Sequence, residues 1–375
     1  MDDVGVGVAP DPAVWRGRRV LLTGHTGFKG AWLTHILRRW GAHVTGIALA
    51  PETTPSLFEL LSPWPELDSR IVDLRDREAL AAAVADADPE VVFHLAAQAI
   101  VRRSYREPVE TLASNVMGTV HLLDALRGCP RLRAVLLVTS DKVYRNDEAG
   151  SAFTEAAALG GDDPYSASKA CAEIIAQAWM ASGLLPATVR LATVRAGNVL
   201  GGGDFAQDRL LCDVVRASTG GEVLTLRAPG ATRPWQHVLD VARAHLLYAE
   251  ALLRDAGGVP ATLNIGPPGG VRHTVEETVR AFVSALGADV RIEITPSPQL
   301  PEKTYLALDP SAAAAIGWRS HLDFAATIGW TAEWYRAVLR DESCARRITD
   351  QQIDHYLEEV VCTRASSPAA AARPR

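Results

Sequence analysis

What this sequence lacks excludes several classes of protein at once. Its five cysteines (Cys129, Cys171, Cys212, Cys344 and Cys362) form no close repeat and no metal-type pair. A disulfide scaffold and a zinc ribbon are therefore set aside, and the thiols read as reduced and mostly buried. No basic-then-apolar leader opens the chain, and no run of about 20 apolar residues is present to span a bilayer. A large charge of one sign is missing too. The formal net charge of −6 offers nothing to draw nucleic acid or an anionic membrane. No His, Cys and carboxylate cluster has metal-ligand spacing, and no repeat period stands out. The expectation is a soluble, cytoplasmic protein with no nucleic-acid, membrane or metal partner.

What is present is ordinary for a globular enzyme: 375 residues, 48% hydrophobic and 22% charged, enough for one large α/β unit or two domains. Residues 1–14 and 364–375 read as flexible tails. Strand-like runs at 19–22, 43–48, 71–73, 91–95, 134–139 and 188–195 alternate with helical patterns at 28–40, 77–84, 109–126 and 163–181. That alternation predicts right-handed βαβ units and a doubly wound parallel sheet, the Rossmann-type α/β class, over residues 15–196. After Asn198 shorter elements follow: helices at 210–217, 238–253 and 275–285, and strands at 223–226 and 290–294. They read as a smaller α/β substrate-binding lobe over 197–360, with a segment near 235–266 returning to the first domain. The ligand crevice is expected at the carboxyl ends of the strands.

Two constellations carry chemistry. Thr23-Gly-His-Thr-Gly-Phe-Lys-Gly30 joins a strand to a helix, so its backbone N–H groups can approach a pyrophosphate closely. Gly24 takes the tight turn, Gly27 makes room for phosphates, and Gly30 lets helix and strand pack. Asp163-Pro-Tyr-Ser-Ala-Ser-Lys169 puts Tyr165 and Lys169 one turn apart on one helix face. An ordinary exposed pair has that spacing too. In a nucleotide-binding setting, the ammonium is expected to lower the phenol's pKa so that it can take the proton of an alcohol. His94, Trp235 and His237 read as packing residues. His25 and Lys29 are left open between touching phosphate and merely capping the turn.

Taken with the buried strand ending Leu95-Ala-Ala-Gln98, these segments make the chain resemble the extended short-chain dehydrogenase/reductases from about Trp15 to about Tyr356. Further segments narrow the resemblance to the nucleotide-sugar 4,6-dehydratases, and within them to the branch acting on CDP-glucose. They are Gly24–Gly30, Pro55-Ser-Leu-Phe58, Thr139-Ser-Asp-Lys142, Arg195-Ala-Gly-Asn-Val-Leu-Gly-Gly-Gly-Asp204 and Arg233-Pro-Trp-Gln-His-Val238.

The resemblance implies NAD as cofactor, a nucleotide-sugar substrate and a homodimer built on the helices near 109–126 and 165–181. It assigns Ser140, Asp141, Lys142, Tyr165 and Lys169 to catalysis. Tyr165 and Lys169 serve oxidation at carbon 4, Asp141 is the acid for the 6-hydroxyl, and Lys142 stands where relatives using other nucleotides carry Glu. An ammonium cannot accept a proton, so Lys142 as carbon-5 base requires a depressed pKa. Cofactor contacts fall on Gly24, Thr26, Gly27, Phe28, Lys29, Gly30, Asp73, Leu74, Leu95, Ala96, Ala97, Gln98, Tyr165 and Lys169. Substrate contacts fall on Asn198, Arg209, Arg233 and Gln236, with Glu302 weaker. No acidic residue ends the second strand, and Glu52 comes late, so the NAD/NADP choice stays open at this point. The alternatives are an epimerase or another dehydratase of the same fold, or a non-catalytic NAD-binding scaffold.

Overall fold

Alternating apolar residues build the centre of the molecule. In β1 (Arg19–Thr23), Val20 and Leu22 enter one core and Leu21 the other. The same period of two puts Phe93 and Leu136 on the first face, and Val92, Val135 and Leu137 on the second. Trp32 and Ile36 of the helix Phe28–Arg39 cover the first face, and Leu80, Leu122 and Leu126 the second. Each such large apolar side chain contributes about 1.5–3 kcal/mol when buried.

The computed structural model describes residues 7–254, 258–267, 272–295 and 303–365. Six more strands flank β1: β2 (His43–Ala48), β3 (Asp68–Ile71), β4 (Val91–His94), β5 (Ala134–Val138), β6 (Arg190–Ala196) and β7 (Thr262–Ile265). They form one sheet in the order 7-6-5-4-1-2-3, every neighbouring pair parallel. This is a doubly wound, Rossmann-type sheet. The order reverses between β1 and β4, which opens a crevice at their carboxyl ends.

Beyond β6 lie three small two-stranded sheets. Val199–Leu200 pairs with Gln236–His237, Thr232–Arg233 with His273–Thr274, and Leu224–Leu226 with Ile292–Ile294. The helices Leu210–Gly220, Val275–Leu286 and Phe324–Arg340 pack around them. The helix Val238–Leu253 returns beneath the main sheet and leads to β7.

Several expectations are corrected. The third strand is Asp68–Ile71 rather than 71–73. It is an exposed edge held partly by Arg70 bridging Asp68 and Asp86, so no apolar pattern marked it. The single helix expected over 109–126 is Pro108–Leu112, a π-turn at Ala113–Met117, and Gly118–Leu126. The wider turn breaks the 3.6-residue period. Helices Val101–Arg106, Phe324–Arg340 and Ala345–Ala365 were not anticipated.

Nor are residues 7–14 a flexible tail. The Val8 amide donates to the Gly317 carbonyl, and Arg243 donates to the Val8 carbonyl. Glu250 accepts from the Asp11 amide and the Trp15 indole, each at 2.9 Å. The helix Ala345–Ala365 likewise takes in the start of the expected C-terminal tail, whose residues 366–375 lie outside the described residues.

Candidate active site

The glycine turn is built as the sequence requires. Gly24 has φ +80, and a Cβ there would lie 2.7 Å from the Ala96 amide. A Cβ at Gly30 would strike the Gly24 carbonyl. At Gly27, by contrast, a Cβ would meet only the Gly24 carbonyl at 3.4 Å. Gly27 is the N-cap of Phe28–Arg39 and no side chain caps that helix. Its first-turn N–H groups are thus left for an anion, beside a turn whose glycines leave the backbone uncovered. The cradle fits a dinucleotide pyrophosphate.

Thr26 donates to the Leu49 carbonyl and pins the turn to the end of β2. His25 is fully buried, bonds Ser69 at 2.7 Å and packs edge-on to Phe58. Burial lowers its pKa to about 4, so it is a neutral packing residue rather than a phosphate ligand. Lys29 is half-buried in the cleft. Burial, followed by the nearby Arg209, lowers it to about 8, while Asp141 and Asp204 oppose the shift.

Beyond β4, the Leu95 and Ala96 amides donate to the Thr23 carbonyl and hydroxyl. Ala97 follows with only a methyl side chain. The Gln98 side chain is braced: its amide donates to Thr111 at 2.9 Å and accepts from the Ile100 amide. Asn115 was missed in the sequence. It sits in the π-turn, accepts from the Gln98 amide, and donates to the Gln98 carbonyl and the Ser168 hydroxyl. It thereby ties the cofactor side to the Tyr165 helix.

Leu74 is buried against Gly118. Asp73 is engaged by the Arg75 guanidinium and backbone, and the Arg75 side-chain bond holds its carboxyl below the usual range. Glu52 pairs with Arg103 at 2.9 Å. His94 bonds Thr23 and Thr119 through its two ring nitrogens and is a core histidine.

Tyr165 and Lys169 lie in the helix Pro164–Ala181, whose N-cap Asp163 accepts from the Ser166 amide. Both are buried. Burial raises the Tyr165 phenol; the Ser140 hydroxyl and the Arg209 guanidinium oppose that shift. The expected lowering by Lys169 is therefore corrected. The Lys169 ammonium donates to the Val138 carbonyl at 3.1 Å, and burial, with Lys29 nearby, lowers its own pKa to about 7.

At the end of β5, Ser140 caps a 3-10 turn over Asp141–Val143. Asp141 is buried and accepts from Ser140 at 3.0 Å through one carboxyl oxygen. Its other oxygen has no hydrogen-bond partner. Burial raises the Asp141 pKa, against the pull of Lys142, Ser140, Arg233 and Lys29. Burial thus biases this carboxyl toward its protonated form.

Arg209 and Arg233 both approach this cleft, through their effects on Tyr165 and Asp141 respectively. Arg233 also donates to the Lys303 carbonyl. Asn198 contributes its carbonyl to the Gln236 amide. Gln236 is 1% exposed and gives its side-chain amide to the Ile265 carbonyl, while its side-chain oxygen has no hydrogen-bond partner. Trp235 donates to the His273 carbonyl, and His237 is buried between Trp32 and Trp330. Glu302 lies outside the described residues.

One signal in the composition was overlooked. The chain has four lysines among its 38 basic residues: Lys29, Lys142, Lys169 and Lys303. The first three converge on Asp141 or on one another.

The fold and the glycine turn fit an NAD-binding α/β enzyme of the short-chain dehydrogenase type, with Tyr165 and Lys169 on a helix and Asp141 and Lys142 just beyond a strand end. The NAD dependent epimerase/dehydratase family model matches residues 20–266, and the chain belongs to that family. It is 41% identical over 346 residues to the CDP-glucose 4,6-dehydratase of Salmonella typhimurium, covering 90% of this chain and 96% of that protein. Among solved structures, the Thermus thermophilus UDP-glucose 4-epimerase complex with NAD superposes with TM-score 0.74 at 27% identity, covering 85% of this chain and 99% of the epimerase. A double mutant of the Streptomyces venezuelae dTDP-glucose 4,6-dehydratase with NAD bound gives 0.72 at 25% identity, covering 85% and 97%.

Asp141 has a measurable signature. A carboxyl whose folded pKa lies above its usual 3.8 contributes most below that value and loses the contribution as pH rises. Asp141→Asn removes the loss. The variant is expected to be more stable than the parent at about pH 7, with the gain shrinking toward about pH 4. Denaturant titrations at the two pH values check this; an equal or negative difference at the higher pH contradicts it.

Proposed function

We propose that this chain catalyses the 4,6-dehydration of a nucleotide-activated hexose, CDP-glucose in particular, to the 4-keto-6-deoxy sugar and water. The observation that carries this reading is Asp141, a buried carboxyl with one oxygen left over, in the same cleft as Tyr165, Lys169 and Lys142. Oxidation and reduction at carbon 4 alone need no second proton-transfer pair. The likeness to the Salmonella typhimurium enzyme supports the choice of nucleotide.

NAD, held on the Gly24–Gly30 turn and along Leu95–Ala97, supplies the hydride acceptor for carbon 4 and the hydride that ends on carbon 6. Tyr165, as its phenolate, takes the proton of the 4-hydroxyl; burial opposes that form, and the Ser140 hydroxyl and the Arg209 guanidinium favour it. The ketone makes the carbon-5 proton acidic. Lys142, as the neutral amine, removes that proton, and protonated Asp141 gives its own to the 6-hydroxyl, which leaves as water. The Lys142 ammonium, after exchange with solvent, returns a proton to carbon 5 as carbon 6 is reduced. The burial that raises Asp141 favours its neutral form, the one the step requires. Arg233 and Arg209 supply planar guanidinium forks for the diphosphate, with Asn198 alongside.

The protein acts as a homodimer in this reading. Val109, Leu112 and Met117 on one helix run and Ile174 on Pro164–Ala181 are exposed apolar side chains, with Val109 at 80%. Helices that present such residues on the surface are covered by a partner in many assemblies. Light scattering is expected to give twice 40.2 kDa; the single-chain mass at working concentration contradicts it.

The function is tested by offering purified protein CDP-, dTDP-, UDP- and GDP-hexoses in deuterated water, with mass spectrometry for loss of water. CDP-glucose is expected to lose water and gain deuterium at carbon 5. Lys142→Met is expected to oxidise carbon 4 yet lose that exchange. An epimerised product without water loss, or no turnover of any sugar, overturns the reading; full exchange in the variant removes Lys142 from the role.

A further inference from the structure

The two proton-transfer pairs sit on different elements, one on the helix Pro164–Ala181 and one on the turn after β5. Something must hold them in register, because both address adjacent carbons of a single ring. Glu173 stands one helical turn beyond Lys169 and is fully buried. One of its carboxylate oxygens accepts from the Thr139 hydroxyl at 2.5 Å. The other accepts from Thr193 and from Arg195, each at 2.8 Å.

Thr139 is the residue immediately before Ser140-Asp141-Lys142. At the far end of the same turn, the Tyr144 hydroxyl accepts from Arg195 at 2.7 Å and donates to Asn264 at 2.6 Å. The Arg195 guanidinium also lies over the Tyr144 ring, 4.9 Å from its centroid. The turn is thus gripped at both ends by one buried ion pair, and the carboxylate of that pair belongs to the Lys169 helix. Packing alone did not demand this. A Glu–Arg pair taken out of water is costly unless its hydrogen-bonding capacity is met; here two threonines serve the carboxylate, and the Tyr144 hydroxyl and Glu155 carbonyl serve the guanidinium.

We propose that Glu173 is a positioning residue that locks the Asp141/Lys142 turn to the Tyr165/Lys169 helix, so that oxidation at carbon 4 is followed by loss of water rather than by release of an oxidised, hydrated sugar. The proposal rests on the dehydratase reading above. Glu173 touches neither substrate nor cofactor in it. Its carboxylate also favours the charged form of Lys169, which keeps the same group coupled to the oxidation side.

Two matched substitutions separate this role from general support of the core. Thr139→Val and Thr193→Val each delete one hydroxyl donor to Glu173 at a buried site and keep the side-chain shape. Only the first breaks the link to the acid–base turn. In single turnovers with CDP-glucose, reduced-cofactor absorbance reports carbon-4 oxidation and mass spectrometry reports water loss.

Thr139→Val is expected to lower the ratio of water loss to oxidation by roughly ten- to a hundredfold, the scale of a small misplacement of reacting groups. Thr193→Val and the hydroxyl-retaining Thr139→Ser are expected to keep the parental ratio. Equal ratios in the two valine variants, whether lowered or not, overturn the proposal while leaving the dehydratase reading in place. A parent protein that dehydrates no nucleotide hexose overturns both.

Discussion

Desolvation at the switch point of the sheet is the constraint on which the rest depends. The crevice between β1 and β4 withdraws several ionisable groups from water together. Burial acts on them in opposite directions, because it penalises the charged form of each. Asp141 is pushed up, toward its protonated form; Lys169 and Lys29 are pushed down to about 7 and about 8, toward their neutral forms. A carboxylic acid and amines poised near neutrality then coexist within one cleft. Such a cleft suits proton transfer in both directions.

The scarcity of lysine belongs to the same account. Arginine serves nearly every surface ion pair of this chain, including Arg18–Glu90, Arg70–Asp86 and Arg103–Glu52. A guanidinium does not release its proton under working conditions. Three of the four lysines stand where a titratable amine is useful, and the fourth, Lys303, pairs with Asp162 at 2.7 Å just before the Tyr165 helix. Rigid elements carry the reacting groups. Asp141 rides on the end of a fully buried strand, Tyr165 on the first turn of a capped helix, and the glycine turn on the central strand.

Much of this was legible in residue patterns, for physical reasons that can be named. Buried parallel strands such as β4 and β5 are continuous apolar runs, and the Gly24–Gly30 turn has a spacing set by backbone contacts. Asp163-Pro164 announces its helix through a cap and a first-turn proline. Edge strand β3 was misplaced because its partners are charged and its surface is wet. The π-turn at Ala113–Met117, and with it Asn115, was invisible because one inserted residue breaks the helical period. The internal bonds of Gln98 and Gln236 were not legible, because a sequence cannot show where an amide finds its partner. The lowering of Tyr165 by Lys169 failed for a similar reason: four residues of helix place the two on one face, but the ammonium turns to the Val138 carbonyl.

The most direct measurement is a pH titration of the protein with carbon-13-labelled lysine, in which the four side chains are resolved by NMR and assigned by single substitutions. The account predicts that Lys169 titrates at about 7 and Lys29 at about 8, while Lys303 titrates above the usual lysine value of 10.5. Four lysines titrating together near 10.5 would contradict it, since the cleft would then be wet and its groups unshifted.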